Sequence, residues 1–212
     1  MDRFLEFDAH LMNDVKPSNY FNGLVKTGIY EEEYPYTLLG DLMKVPQSPK
    51  HHPEGSVWNH TMLVLDNAGE RKHLSQNPKV LMWSALLHDL GKASATKITK
   101  GRITSYDHDK LGERLAVKFL KDFTADDEFI TQVSKLVRWH MQILFVTMGL
   151  PFADVGRMVS EVPIEEVALL GLCDRLGRGN MTLDKKLEEE KSILTFLEKC
   201  NKYVKNKNSL HH

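Results

Sequence analysis

The stretch Trp83-Ser84-Ala85-Leu86-Leu87-His88-Asp89-Leu90-Gly91-Lys92 decides how the rest of the chain is read. It opens as an apolar helical run, Gly91 stands where a helix would stop, and Lys92 lies just beyond. A helix that otherwise reads as buried ends on an imidazole and a carboxylate. An uncompensated ionised group in such a place costs several kcal/mol, and a metal ion is the obvious partner. Adjacent side chains on a helix point about 100° apart, so His88 and Asp89 reach one ion only at the helix end, with other elements supplying the remaining ligands. The stretch therefore predicts inward-facing His or Asp on other helices.

The flanking sequence supplies them. A helix from about Val57 to His73, capped by Ser56, sets His60, Leu63, Val64, Asn67 and Ala68 on one face. Asn77-Pro78 opens the helix that closes on His88, Asp89 and Gly91. Ile98-Thr99 and Ile103-Thr104 flank Lys100-Gly101-Arg102 and predict a small hairpin around 97–106. Asp107 is placed to cap a helix whose His108, Leu111, Leu115 and Phe119 share a face. Asp126-Asp127-Glu128 opens another, with Phe129, Val133, Leu136, Val137 and His140 as its buried stripe. Phe145 to Leu150 with Pro151 reads as a turn, and Phe152 to about Val159 as a short helix. Pro163 and Glu165-Glu166 open a helix that brings Asp174 onto the face of Val167 and Gly171.

Outside this region, Phe4, Leu5, Phe7, Leu11, Met12 and Val15 have helical spacing that breaks before Pro17, and a second short segment runs from Tyr20 to Gly28. Pro35, Pro46, Pro49 and Pro53 make residues 34–55 mostly extended, with one turn of helix near Leu38 to Met43. Leu183, Leu187, Ile193, Leu194 and Leu197 mark a final amphipathic helix that fades by about residue 203. The division expected is an N-terminal helical segment at 1–34, a central domain at 35–180 and a C-terminal helix and tail at 181–212. The fold class is all-α, a helical bundle with one minor hairpin.

At 212 residues, one domain, or one domain with a helical appendage, is the natural reading. A net charge of -1 and a pI near 6.8 argue against nonspecific nucleic-acid binding. Cys173 and Cys200 are too few for a disulfide framework or a thiolate metal site. The N-terminus lacks the basic flank and apolar run of a signal peptide, and no apolar stretch approaches a membrane span. These features predict a soluble cytoplasmic protein that does not enter membranes; its oligomeric state is left open. His10, His51 and His73 are read as surface residues, and the terminal His211 and His212 are set aside.

A single inward histidine is more often a hydrogen-bonded core residue than a ligand, but His60, His88, Asp89, His108, His140 and Asp174 fall on apolar faces of five helices. Their nitrogen and oxygen donors suit Mn, Fe, Co, Ni, Zn or Mg and disfavour copper(I) or an iron-sulfur cluster. One divalent metal ion can be held by His60, His88, Asp89 and Asp174. If His108 and His140 also bind, a second ion fits, with Asp89 bridging.

The order His60, His88-Asp89, Asp174 resembles the HD superfamily of metal-dependent phosphohydrolases, and His108 and His140 resemble the additional ligands of its two-metal members. Val45-Pro46-Gln47 through His52-Pro53-Glu54-Gly55, Trp58-Asn59-His60-Thr61, His88-Asp89-Leu90-Gly91-Lys92 and Asp174-Arg175-Leu176-Gly177-Arg178 are similar to the HD domain attached to bacterial CCA-adding tRNA nucleotidyltransferases. The resemblance covers roughly residues 35–180. Those enzymes carry a Gly-Ser motif followed by paired aspartates, and no such arrangement precedes this domain. Asp107-His108-Asp109 has the aspartate spacing without the Gly-Ser or the strand, so CCA addition is not carried over.

The resemblance implies hydrolysis of a phosphoester by attack of metal-bound water, on a small nucleotide or RNA-end substrate carrying a 2',3'-cyclic phosphodiester or a phosphomonoester. Asp89 is the candidate to orient and deprotonate that water. Lys92 meets a phosphate or is a solvated helix-end lysine. Arg175 and Arg178 fork onto a phosphate or pair with the acidic C-terminal segment. His52 and Glu54 line the mouth or orient His60, turn capping being the preferred reading for Glu54. Trp58 and Trp139 are read as core residues placed where a base could stack. The competing readings are a nucleoside tri- or tetraphosphate hydrolase and, from another class, a non-catalytic nucleotide-binding regulatory module.

Overall fold

The computed structural model describes residues 3–124 and 126–209, so the His211 and His212 set aside above lie outside it. In chain order it contains α1 (Arg3–Asn13), α2 (Ser18–Leu24), α3 (Ile29–Glu32), α4 (Thr37–Gly40), α5 (Val57–Arg71), α6 (Pro78–Leu87), α7 (Lys92–Ala95), β1 (Lys97–Thr99), β2 (Arg102–Thr104), α8 (His108–Lys121), α9 (Asp127–Trp139), α10 (Gln142–Thr147), α11 (Val155–Glu161), α12 (Ile164–Leu176) and α13 (Leu183–Ser209). The fold is all-α with one two-stranded antiparallel hairpin, in which Ile98 pairs with Ile103. Lys100 and Gly101 both have positive φ, 50° and 76°, the backbone that a tight two-residue hairpin turn requires.

The centre is α6. Every residue from Val80 to Leu87 is buried, as expected of a helix apolar on all sides, and α5, α9, α12 and α1 pack around it. Trp83 is fully buried, stacked on Phe4 at 4.9 Å between centroids, and its indole N–H donates to Asp8 Oδ1 at 2.8 Å. Trp58 and Trp139 are core residues of the same kind, donating to Asn22 Oδ1 and Glu161 Oε2, each at 2.9 Å. Phe4, Phe7 and Leu11 of α1 and Ile193, Phe196 and Cys200 of α13 belong to the same continuous core. The cap read from sequence at Ser56 is present, its hydroxyl accepting from the Asn59 N–H, and the helix openings read at Asn77 and Asp126 prove to be side-chain caps as well, accepting from the N–H groups of Val80 and Phe129.

Several local expectations are corrected. Gly91 has a helical φ of −64°, so it is not a left-handed helix stop. Its role is close approach: a Cβ there would lie 2.0 Å from the His108 carbonyl oxygen and 2.7 Å from the Gly112 nitrogen. Asp107 caps nothing; it sits at φ 55° and its carboxylate pairs with Lys110 at 2.6 Å. On α5, Leu63 is exposed while Thr61, Met62 and Leu65 are buried, because α6 and α12 cover adjoining faces. On α8 the buried seam is His108, Asp109, Gly112, Ala116, Phe119 and Leu120, leaving Leu111 and Leu115 only half-buried. Of the turn read at 145–150, residues 145–147 instead close a helix that starts at Gln142 and the turn begins at 148; the next helix begins at Val155, capped by Asp154, while Phe152 is exposed. α13 meets no Gly or Pro and runs on to Ser209.

Candidate metal centre

The six inward residues come from five places in the fold and meet at one end of α6. His88 is the residue that closes α6, and Asp89 follows in the turn where Gly91 lets the chain pass against the start of α8. His108 is the first residue of α8 and His140 directly follows α9. His60 lies one turn into α5, and Asp174 lies near the end of α12. His60, His88, Asp89, His108 and His140 are buried, and only the Asp174 side chain keeps appreciable exposure, 19 %.

Three histidines are aimed in the same way. Nδ1 of His88 donates to the Ala85 carbonyl at 2.9 Å, that of His108 to Ser105 at 2.7 Å and that of His140 to Val137 at 2.6 Å. Each bond uses the carbonyl three residues back, fixes the tautomer and turns an Nε2 lone pair inward. Burial, and for His140 also the neighbouring histidines, lowers the affinity of two of them for protons: His108 titrates below the ordinary range and His140 falls to about 4.

The two oxygens of Asp89 face two different sets of partners. Oδ1 lies 3.6 Å from His108 Nε2 and 3.9 Å from His140 Nε2, while those two nitrogens are 3.3 Å apart. A triangle with these sides has its centre about 2.1 Å from every corner, the length of a metal–imidazole or metal–carboxylate bond. Two neutral imidazoles that point lone pairs at each other and at a carboxylate need a cation between them. Oδ2 lies 3.3 Å from His88 Nε2 and 3.9 Å from His60 Nε2. His88 Nε2 and Asp89 Oδ1 are buried without a hydrogen-bond partner among the described residues. Donor atoms of His60, His88 and Asp174 lie within 4.8 Å of one another, as do those of Asp89, His108 and His140, so two groups of side chains fit an ion each.

His60 is held differently. Its Nε2 is 2.9 Å from Asp174 Oδ1 and its Nδ1 is 3.0 Å from Glu54 Oε1. Burial opposes protonation, but the two flanking carboxylates outweigh it and lift the pKa to about 9. Glu54 is thus not a turn cap. It accepts from His52 Nδ1 at 2.8 Å and from the Gly179 N–H at 2.9 Å as well as facing His60, and these contacts overcome burial to hold its carboxyl well below the usual range. Burial lowers the pKa of His52 in spite of Glu54.

Lys92 is neither solvated nor free. Its ammonium lies 2.7 Å from Asp89 Oδ2 and donates to Gln47 Oε1 at 2.9 Å. Gln47 carried no signal of its own in the sequence; only the fold brings the 46–56 bridge over α7. Arg175 and Arg178 both reach Glu189 of α13, Arg178 at 3.2 Å, so the pairing with the acidic C-terminal segment is the one present. Side-chain exposure marks the open side of the cluster: Arg178 at 31 %, Asp174 at 19 %, His52 at 18 % and Lys92 at 13 %.

The fold is thus an all-α bundle that gathers a buried His and Asp cluster able to hold divalent ions at one end of its central helix. Residues 57–179, more than half of the chain, match the HD domain family, and the chain belongs to it. Members of this family bind divalent metals and carry phosphohydrolase-type activity. Curated relatives include multifunctional CCA proteins. That of Actinobacillus pleuropneumoniae serotype 5b is 38 % identical over 81 residues, 38 % of this chain and 19 % of the relative. That of Methylococcus capsulatus is 31 % identical over 134 residues, 62 % of this chain and 29 % of the relative. That of Pseudomonas syringae pv. syringae is 36 % identical over 103 residues, 49 % and 24 % of the two chains. The chain therefore spans less than a third of the length of these relatives, and the likeness lies in the HD region. Among the described residues, no helix is long and apolar enough to cross a membrane.

Proposed function

We propose that this chain hydrolyses a nucleotide or RNA-end phosphoester, either a 2',3'-cyclic phosphodiester or a phosphomonoester, at the cluster centred on Asp89. The observation that carries the reading is the Asp89 carboxylate, buried with its two oxygens turned towards separate sets of histidines. His60, His88, Asp89 and Asp174 would hold one divalent ion, and Asp89, His108 and His140 a second. Such ions, when bound, polarise a phosphoryl oxygen and acidify water at neutral pH.

The chain's own groups divide the remaining work. Asp89, kept ionised against burial by His88, Lys92 and His108, is placed to orient attacking water as a hydrogen-bond acceptor. Lys92, fixed by Gln47 and Asp89, sets a cation at the rim where a phosphoryl oxygen would enter. Arg178 stands on the same open side and suits the approach of an anion, and His52 on that side is a neutral ring held by Glu54 that can contact the rest of the substrate.

The test is metal analysis of the purified protein together with a screen of 2',3'-cyclic AMP, 2'-AMP, 3'-AMP and nucleoside triphosphates with several divalent ions. Ring-opened monophosphate or inorganic phosphate from the first three is the expected result. Pyrophosphate or triphosphate release would move the assignment to a nucleoside tri- or tetraphosphate hydrolase. Bound nucleotide with no turnover under any ion would make the chain a regulatory module.

A further inference from the structure

The C-terminal helix carries more apolar surface than its own body covers. Ile193, Phe196 and Cys200 face the core, yet Leu183, Leu187 and Leu194 are 72 %, 55 % and 60 % exposed. With Leu187 at position a of a heptad, Leu194 and Asn201 are also a, and Leu183, Glu190, Leu197 and Val204 are d, giving one continuous seam. A shallow groove of about 460 Å³ runs along its second half beside Leu194, Leu197, Asn201 and Lys205. At about 100° per residue the centre of the seam lies about 100° around the helix from the core-facing stripe; its a side is exposed, while Leu197 and Val204 on its d side are half-buried against this chain's own core and present only their outer edges.

We propose that α13 pairs antiparallel with α13 of a second copy of this chain. Antiparallel helices match an a position with a d position, and here one register matches those from Leu187 to Val204: Leu187 meets Val204 of the second copy, Glu190 meets Asn201, and Leu194 meets Leu197. Two leucine layers lie at the centre, and a carboxylate faces a side-chain amide able to donate to it on either side of them. The exposed e positions are Asp184, Lys191, Glu198 and Lys205. In this register Asp184 lies beside Lys205 of the second copy and Lys191 beside its Glu198, so all four e-position pairs are of opposite sign and outnumber the two like-charged Lys186–Lys207 pairs at the ends of the other flank. Sliding the helices by one heptad in one direction puts Lys191 beside Lys191 and Asp184 beside Glu198. Sliding in the other puts Glu198 beside Glu198 and Lys191 beside Lys205. A parallel pair would stack Glu190 on Glu190. The charge pattern thus selects one partner, one direction and one register.

The test is sedimentation of the whole chain from low to high micromolar concentration. Reversible dimers are expected. Lys191→Glu or Glu198→Lys alone should weaken association about tenfold or more, and the double variant Lys191→Glu/Glu198→Lys should restore it. All these positions are exposed, and unchanged circular dichroism would show that the variants remain folded. Oxidising a mixture of the Leu187→Cys and Val204→Cys chains should join unlike chains. A monomer at all concentrations, association indifferent to the charge variants, or disulfides joining like chains would overturn the proposal.

Discussion

At the scale of single residues, the protonation of His60 separates its half of the cluster from the other. Its Nε2 proton points at Asp174 and is retained up to about pH 9, whereas His108 and His140 are neutral at physiological pH. An ion entering between His60 and Asp174 must displace that proton. Metal uptake below about pH 9 is therefore expected to release a proton and to tighten as pH rises. Calorimetry in two buffers of different ionisation enthalpy measures both. His108→Ala or His140→Ala should cost one ion of a bound pair, whereas His88→Ala or Asp89→Ala should strip metal and abolish turnover, read by metal content and rate. Glu54→Gln keeps the shape but removes the charge shared by His52 and His60, and should weaken metal binding by about 10- to 100-fold.

The same shifts set the pH response of the metal-free chain. A histidine whose folded pKa lies below its unfolded value binds more protons when unfolded, so its contribution to stability is present above the unfolded value and is lost on acidification. For His140 that window runs from about pH 6.5 down to about 4. Thermal unfolding of chelator-treated protein should show a fall across it, and His140→Gln should flatten the slope.

At the scale of elements, helices with a side-chain cap and an uninterrupted apolar face were readable from sequence. Ser56, Asn77 and Asp126 announce α5, α6 and α9 because each offers an oxygen to an otherwise unpaired N–H. The misreadings arose where tertiary contact overrides a local signal. Asp107 resembles a cap, but it adopts a left-handed backbone and its carboxylate is taken by Lys110. Gly91 resembles a stop, and only the path of α8 shows it to be a contact. Gly91→Ala would drive a methyl group into the His108 carbonyl and must separate α7 from α8. A loss of about 1–3 kcal/mol in urea unfolding is expected, with weakened metal binding as His108 is displaced.

At the scale of the whole molecule, the cluster was legible because its members lie on amphipathic helices whose inward faces cannot hold isolated charge. What surrounds them was legible only in part: Glu54, six residues before His60, could be read as orienting it, but Gln47 and the Gly179 N–H reach Lys92 and Glu54 only through long-range closure of the chain. The same closure ties stability to occupancy. Ligands drawn from α5, the end of α6, α8, the end of α9 and α12 are together only in the folded state, so metal at a hundredfold excess over its Kd should add about 2.7 kcal/mol, read as a rise in Tm reversed by chelator.

The three tryptophans have a practical consequence. All are buried, all have their indole N–H engaged, and Trp58 and Trp139 precede His60 and His140 by two residues and one. With only three in the chain, no exposed indole adds a solvent-relaxed background to the emission. Native fluorescence should be uniformly blue-shifted, and the unlabelled protein reports both its own unfolding and the filling of the centre beside two of its fluorophores.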